Sequence, residues 1–308
     1  MKITVVIPCF RTCYKITNSI INKIPQNVND IIVIDDKCSF NTGKKLSKVC
    51  EDKRLKIIYH KNNKGVGGAV MSGYRLALKN KSDIIIKLDG DGQMDPLEIK
   101  NLIKPILNKE ADYSKGNRLS RLSHVRNMPM SRLIGNFFFS ICAKFTTGYW
   151  NIFDFSNGFT AIKGSVLKNI ISENINERFF FETDMLFHLY ILRAKVVDVN
   201  MKPIYGEEKS NLKILKVSKY FPLMMLKRFF QRLFFTYFIL KISFNSFALL
   251  LSALFLFIGL VLGLYNWIHF SSIGEFTPNG IIMIVAINLL IGTFLLCYFL
   301  IEDTKNVP

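Results

Sequence analysis

Two apolar runs near the C-terminal end constrain this chain more than any other feature. From Phe247 to Ile268 and from Ile281 to Ile301, about 21 residues each pass without a Lys, Arg, Asp or Glu. A helix of that length crosses the roughly 30 Å of hydrocarbon in a bilayer. A buried core helix usually keeps a polar face, and neither run has one. Two transmembrane helices are therefore expected, over 246–269 and 280–301, followed by a short tail at 302–308.

The basic residues predict the orientation. Lys213, Lys216, Lys219, Lys227, Arg228, Arg232 and Lys241 precede the first run, the loop from His269 to Gly280 has no Lys or Arg, and Lys305 follows the second. Basic flanks stay on the cytosolic side, so both ends are expected there. Met1 leads directly into ITVVIP without a charged and apolar leader, so residues 1–210 are expected to remain in the cytosol as well. The segment 211–245 mixes aromatics with Lys and Arg and is interrupted by Pro222. It reads as one or two helices lying in the membrane interface, or as a helix packed on the preceding domain.

The net charge is +18, diffuse in the first half and crowded beside the apolar runs. That distribution suits anionic headgroups and phosphorylated substrates and argues against nucleic acid. Six cysteines occur without a CxxC pair, which points to reduced, structural thiols and away from zinc. Gly259 and Gly263 form a small-xxx-small pair in the first run, a signal for helix packing and for a homo-oligomer formed through the spans.

Ahead of the membrane segments, short β-rich runs alternate with helical periods. Ile3–Ile7, Ile31–Ile34, Leu55–Tyr59 and Ile84–Leu88 predict strands, and Tyr14–Ile24, Thr42–Glu51, Val66–Leu78 and Pro96–Leu107 predict helices. Alternation of this kind makes a mostly parallel sheet covered on both faces, with ligands at the carboxyl ends of the strands. Each predicted strand ends in polar or permissive residues: Pro8, then Asp35 and Asp36, then Asn62–Gly68, then Asp89–Gln93.

The run LDGDGQMDP, Leu88–Pro96, places two carboxylates two residues apart at a strand end, with glycines that relax the backbone. That pattern suits a hard divalent cation that keeps some water and bridges substrate phosphates. Asp95 is placed to cap the next helix, with Pro96 at its first position.

Taken in order, VVIPCF (5–10), VIDD (33–36), NNKGVGGAVMSGY (62–74) and LDGDGQ (88–93) resemble family 2 glycosyltransferases of the GT-A fold. Within that family the pattern is similar to the branch of dolichyl-phosphate mannose synthases and bacterial polyprenyl-phosphate glycosyltransferases, and it covers roughly residues 3–210. The resemblance implies an α/β fold, a GT-A (Rossmann-like, mostly parallel sheet) domain followed by interfacial helices and two transmembrane helices. It implies Mg²⁺ or Mn²⁺ held with the donor diphosphate by Asp89, Asp91 and Gln93. It also implies a donor pocket formed by Pro8, Phe10, Asp36, Gly65, Asp89 and Gly90. Phe10 and Thr12 stand where the family commonly has a Tyr and an acidic residue, so the donor base is not specified.

ADYSKGNRL (111–119) and MSRLIGN (130–136) resemble the family segments that bind a lipid phosphate, which makes Arg118, Arg132 and Asn136 the acceptor candidates. A guanidinium fork matches a phosphate and stays charged. In FFFETDMLFHL (179–189), Glu182 and Asp184 resemble the acidic pair from which such enzymes take a general base, and Asp184 is the candidate. Asp154, Glu207 and Glu208 are weaker acceptor-side candidates, and His124 and His188 show no partner pattern. The implied function is metal-dependent, inverting transfer of a sugar from a nucleotide-sugar donor to a polyprenyl phosphate at the bilayer. The alternatives are extension of a lipid-linked glycan at a hydroxyl, or a non-catalytic nucleotide-sugar-binding membrane protein.

Overall fold

The structure, a computed structural model, describes residues 1–119, 130–201 and 214–308, with the side chains of 131–133 and 214–219 excepted. Strands β1 (Ile3–Cys9) and β2 (Asp30–Asp35) are buried almost end to end, as unbroken Ile and Val runs must be when both faces of a parallel sheet are covered. Strand β3 (Leu55–Tyr59) lies at the sheet edge and is only half-buried, and β4 (Ile84–Lys87) is wholly buried. Three further strands complete the sheet: β5 (Tyr113–Asn117), β6 (Thr160–Lys163) and β7 (Val196–Asn200).

The strand order is β3-β2-β1-β4-β6-β5-β7. Neighbours run parallel except where β6 pairs with β4 and with β5, so the predicted mostly parallel sheet is present with one reversed strand. Helices α1 (Tyr14–Lys23), α2 (Thr42–Val49) and α3 (Gly65–Lys79) occupy the predicted crossovers. A single 3₁₀ turn, Pro96–Glu98, leads into α4 (Ile99–Leu107), and Asp95 caps it by accepting from the Leu97 N–H at 3.0 Å. Because β1, β2, β3 and β4 are parallel, all four release the chain at the same edge of the sheet.

Among the described residues the remaining α-helices are α5 (Met130–Thr147), α6 (Gly164–Ile170), α7 (Phe181–Ile191), α8 (Ile214–Phe234), α9 (Phe244–Ile273) and α10 (Asn279–Lys305), with a π-helical turn at Phe235–Leu240 between α8 and α9. The chain divides into two compact units, Met1–Phe229 and Phe230–Val307. The first unit extends past the expected limit at 210 because Arg228 is ion-paired with Asp184 and Phe229 packs edge-on against Phe145.

In the second unit, α9 and α10 have mean hydropathies of 2.8 and 2.5, and only 17% and 6% of their most apolar windows are buried. Their apolar side chains, Phe257 and Phe294 among them, face outward, as helices that could span a bilayer require and core helices do not. A Cβ on Gly259 would come within 2.8 Å of Leu289, and one on Gly292 within 2.8 Å of Leu256. The glycine signal therefore seats the two helices of one chain against each other. Ser252 Oγ donates to the Gly292 carbonyl at 2.9 Å across the same seam. At the other end of the pair, Asp303 is fully buried and accepts both arms of Arg232, at 2.7 and 3.0 Å, and the Tyr237 hydroxyl at 2.6 Å. All six cysteines are free.

Candidate active site

A cleft of about 530 Å³ opens at the edge where β1, β2, β3 and β4 end. Its wall includes Pro8 near the end of β1 and Phe10 just after it, Asp36 after β2, Asn63 and Gly65 after β3, and Asp89, Gly90, Asp91 and Gln93 after β4. Phe155, Arg178, Phe179, Glu182 and Thr183 close the opposite side.

The two aspartates at the end of β2, Asp35 and Asp36, are occupied with loop geometry. Asp35 accepts from the N–H of Cys38 at 2.7 Å and of Gly43 at 2.8 Å, holding the turn into α2. Asp36 is buried, meets His60 Nδ1 at 2.7 Å, and accepts from the N–H of Lys64 and of Gly65, each at 2.9 Å. It thereby pins the glycine-rich turn at the start of α3.

Those glycines serve a neighbour 110 residues further along the chain. A Cβ on Gly65 would lie 2.5 Å from the Glu177 carbonyl, one on Gly67 would collide with the Asn176 carbonyl, and Gly68 N–H donates to the Glu177 carbonyl at 3.0 Å. The backbone at these glycines therefore packs directly on segment 176–178, while Gly65 also lines the cleft. Thr12 is part of the wall too, and its buried hydroxyl has no hydrogen-bond partner among the described residues.

Asp89, Asp91 and Gln93 present two carboxylates and an amide oxygen, hard donors of the kind Mg²⁺ and Mn²⁺ prefer. Gly92 has φ +82, a left-handed turn that lets Gln93 N–H donate back to Asp91 Oδ1 at 3.1 Å. Among the described residues there is no cluster of three or more His, Cys, Asp or Glu. The donor set fits a cation that completes its shell with substrate oxygens and water and does not fit a closed protein cage.

Beneath them, Lys87 is 1% exposed and lies 2.9 Å from Asp89 and 3.0 Å from Glu182. Burial would lower its pKa, but the charges of Asp89 and Glu182 outweigh that and raise it, so the ammonium stays charged. On β5, Lys115 is fully buried and donates to the Asn157 carbonyl; burial lowers it to about 8. Burial likewise pushes Asp198 on β7 up to about 6.

Residues 4–171 match the family model described as glycosyl transferase family 2. The chain belongs to that family. A UDP-N-acetylglucosamine–dolichyl-phosphate N-acetylglucosaminyltransferase of Methanococcus voltae is 29% identical to this transferase over 67% of the chain and 86% of its own length. An undecaprenyl-phosphate mannosyltransferase of Micrococcus luteus is 26% identical over 56% of the chain and 70% of its own length. Among solved structures, glucosyl-3-phosphoglycerate synthase from Mycobacterium tuberculosis in complex with UDP superposes with a TM-score of 0.53 at 17% identity, covering 74% of this chain and 80% of that one. The same synthase in complex with Mg²⁺ and UDP gives 0.52 at 16% identity, covering 75% and 79%. These likenesses establish the GT-A fold of the transferase.

Several residues expected at the site lie elsewhere. Asp184 is not in the cleft wall: it is buried, and accepts from Arg228 Nε at 2.6 Å, Arg228 Nη2 at 3.1 Å and the Asn176 N–H at 2.7 Å. Residues two apart on a helix point about 200° apart, so Glu182 faces the cleft and Asp184 faces away. Arg118 is also outside the wall, its guanidinium on Asp154 at 2.8 and 3.1 Å and on Ser156 at 3.1 Å. Asn136 lies on α5, outside the wall and partly buried. Arg132 is on α5 with its side chain outside the described residues, as are His124, Glu207 and Glu208 entirely. His188 packs beside Arg228, and burial lowers its pKa.

Sequence reasoning passed over Arg178 and Phe179, which the clamp on segment 176–178 carries into the wall. Their only local signal was a position just ahead of the acidic helix start. Arg11 and Arg178 are the cations of the wall, and among the described residues neither has an ion-pair partner.

Proposed function

We propose that this transferase moves a sugar from a nucleotide-sugar donor to a polyprenyl phosphate at the cytosolic surface of a membrane, with inversion at the sugar carbon. One observation carries the reading. The strand-end cleft, with Asp89 and Asp91 in its wall, belongs to a chain that also bears two outward-apolar helices. The relatives named for dolichyl-phosphate and undecaprenyl-phosphate transfer support the same acceptor class. Basic flanks and a Lys- and Arg-free loop between α9 and α10 support cytosolic ends.

Asp89, Asp91 and Gln93 would hold Mg²⁺ or Mn²⁺, which when bound stabilises the departing nucleoside diphosphate. The chain's own residues do the rest. Pro8, Phe10, Gly65 and Gly90 shape the donor side of the cleft. Arg11 and Arg178 supply positive charge for phosphate oxygens. A prenyl phosphate is anionic near neutral pH and attacks without a strong base.

A second reading, transfer to a hydroxyl of a lipid-linked glycan, is favoured by Glu182, a carboxylate in the cleft wall available as general base. The test that separates the two is transfer of label from UDP- and GDP-sugars to undecaprenyl phosphate in detergent with Mg²⁺ or Mn²⁺. A charged prenyl-phosphate sugar is expected; nucleotide binding with no such product from any donor would reject the phosphate acceptor.

Arg178→Ala is expected to raise the KM for the prenyl phosphate about tenfold or more, the loss of a charge-assisted hydrogen bond. Steady-state kinetics at saturating donor measure it, and an unchanged acceptor KM would take Arg178 out of the acceptor site.

A further inference from the structure

Among the described residues, Lys87 is a buried cation that pairs with two carboxylates of the cleft wall. It stands at the end of β4, below Asp89, and reaches Glu182 on the first turn of α7, 95 residues away in sequence. The surroundings are shaped to admit it. A Cβ on Gly158 would collide with Lys87 Nζ and lie 2.5 Å from Asp89 Oδ2, so the loop after Asp154 closes directly over this ion pair and any larger residue there would have to displace it.

We propose that Lys87 is a resident counter-ion that keeps a divalent cation from settling on Asp89 until the donor diphosphate arrives, and that aligns Asp89 with Glu182 across the cleft floor. The inference rests on the reading of Asp89 as a metal ligand. An ammonium 2.9 Å from a ligand carboxylate opposes an incoming cation twice, by occupying the ligand and by repelling the ion. A diphosphate brings negative oxygens of its own and restores the attraction, so metal and nucleotide bind with positive coupling, each tightening the other. Glu182 shares the ammonium, which holds its carboxylate at a set distance from Asp89 whether or not the metal is bound.

The experiment is uptake of Mn²⁺ by the full-length protein in detergent, followed by the electron paramagnetic resonance of the free ion. It is run with Mn²⁺ alone and with UDP or GDP, for the wild type, Lys87→Met and Lys87→Gln. The wild type is expected to bind Mn²⁺ at least about tenfold more tightly with a nucleotide than without. Both variants are expected to bind Mn²⁺ alone about tenfold more tightly than the wild type and to gain less from the nucleotide. Their kcat should fall without a matching rise in donor KM, because Glu182 and Asp89 lose their common anchor. Lys87→Gln removes the charge and shortens the side chain while leaving a polar group in the buried position, so it serves if Lys87→Met does not fold. A folded variant that binds Mn²⁺ no more tightly than the wild type overturns the role of Lys87. A wild type that takes up no Mn²⁺ with either nucleotide overturns the metal reading itself, and this inference with it.

Discussion

Asp91→Asn is expected to lower sugar transfer by about 10²–10³-fold and to leave the melting temperature unchanged. Asp91 is half-buried in the cleft wall at the turn after β4, and its Oδ1 accepts the Gln93 N–H at 3.1 Å. An asparagine oxygen can accept the same hydrogen bond, so the turn and the sheet behind it keep their geometry. What the substitution removes is a negative charge facing the place where a cation and a diphosphate would meet. Initial rates with labelled donor, compared with a melting curve of the same detergent sample, check both halves of the statement. Activity within a few-fold of the wild type would remove Asp91 from the catalytic machinery.

The second large effect falls on stability. Asp184→Ala is expected to destabilise the first unit by about 3–5 kcal/mol, the usual consequence of removing one partner from a buried ion pair. Asp184 is nearly inaccessible and holds Arg228 of α8 through two contacts, together with the N–H of Asn176. Its removal strands a largely buried guanidinium and releases segment 174–178, the piece that carries Arg178 to the cleft and docks on Gly65, Gly67 and Gly68. Denaturant or thermal unfolding of the intact protein measures the loss, and the remaining activity should follow the folded fraction. Glu182→Gln should do the reverse if a hydroxyl is the acceptor, lowering kcat at unchanged melting temperature. An Asp184→Ala protein that melts like the wild type yet has lost turnover would return Asp184 to the role of base.

Much of the first unit was legible from residue patterns. The strands β1 to β4 and the helices between them follow from Ile- and Val-rich runs alternating with helical periods, because such runs are stable only when buried in a parallel sheet. The strand-end positions of Asp36, Asp89 and Asp91 follow from that topology. So do α9 and α10, whose length and apolarity are those of helices that could span a bilayer. Strand β5, YSKGN, was not legible: it contains a lysine and a glycine, and its burial comes from neighbours on β6 and β7. The opposite facing of Glu182 and Asp184 was available in principle from helix geometry, and the resemblance to an acidic catalytic pair obscured it.

Local sequence thus decided which segments become strands, which end of the sheet carries acidic residues and which helices are apolar enough to span a bilayer, since each depends on a few adjacent side chains and their period. Tertiary structure alone decided what those residues touch. Asp36 is spent on the glycine turn, Arg118 on Asp154, Asp184 on Arg228, and Lys87 joins Asp89 to Glu182. The pairs Arg118–Asp154, Asp184–Arg228 and Lys87–Glu182 are separated by 36, 44 and 95 residues. Charge pairing at such separations depends on which buried surfaces meet when the sheet closes, and no local pattern encodes that.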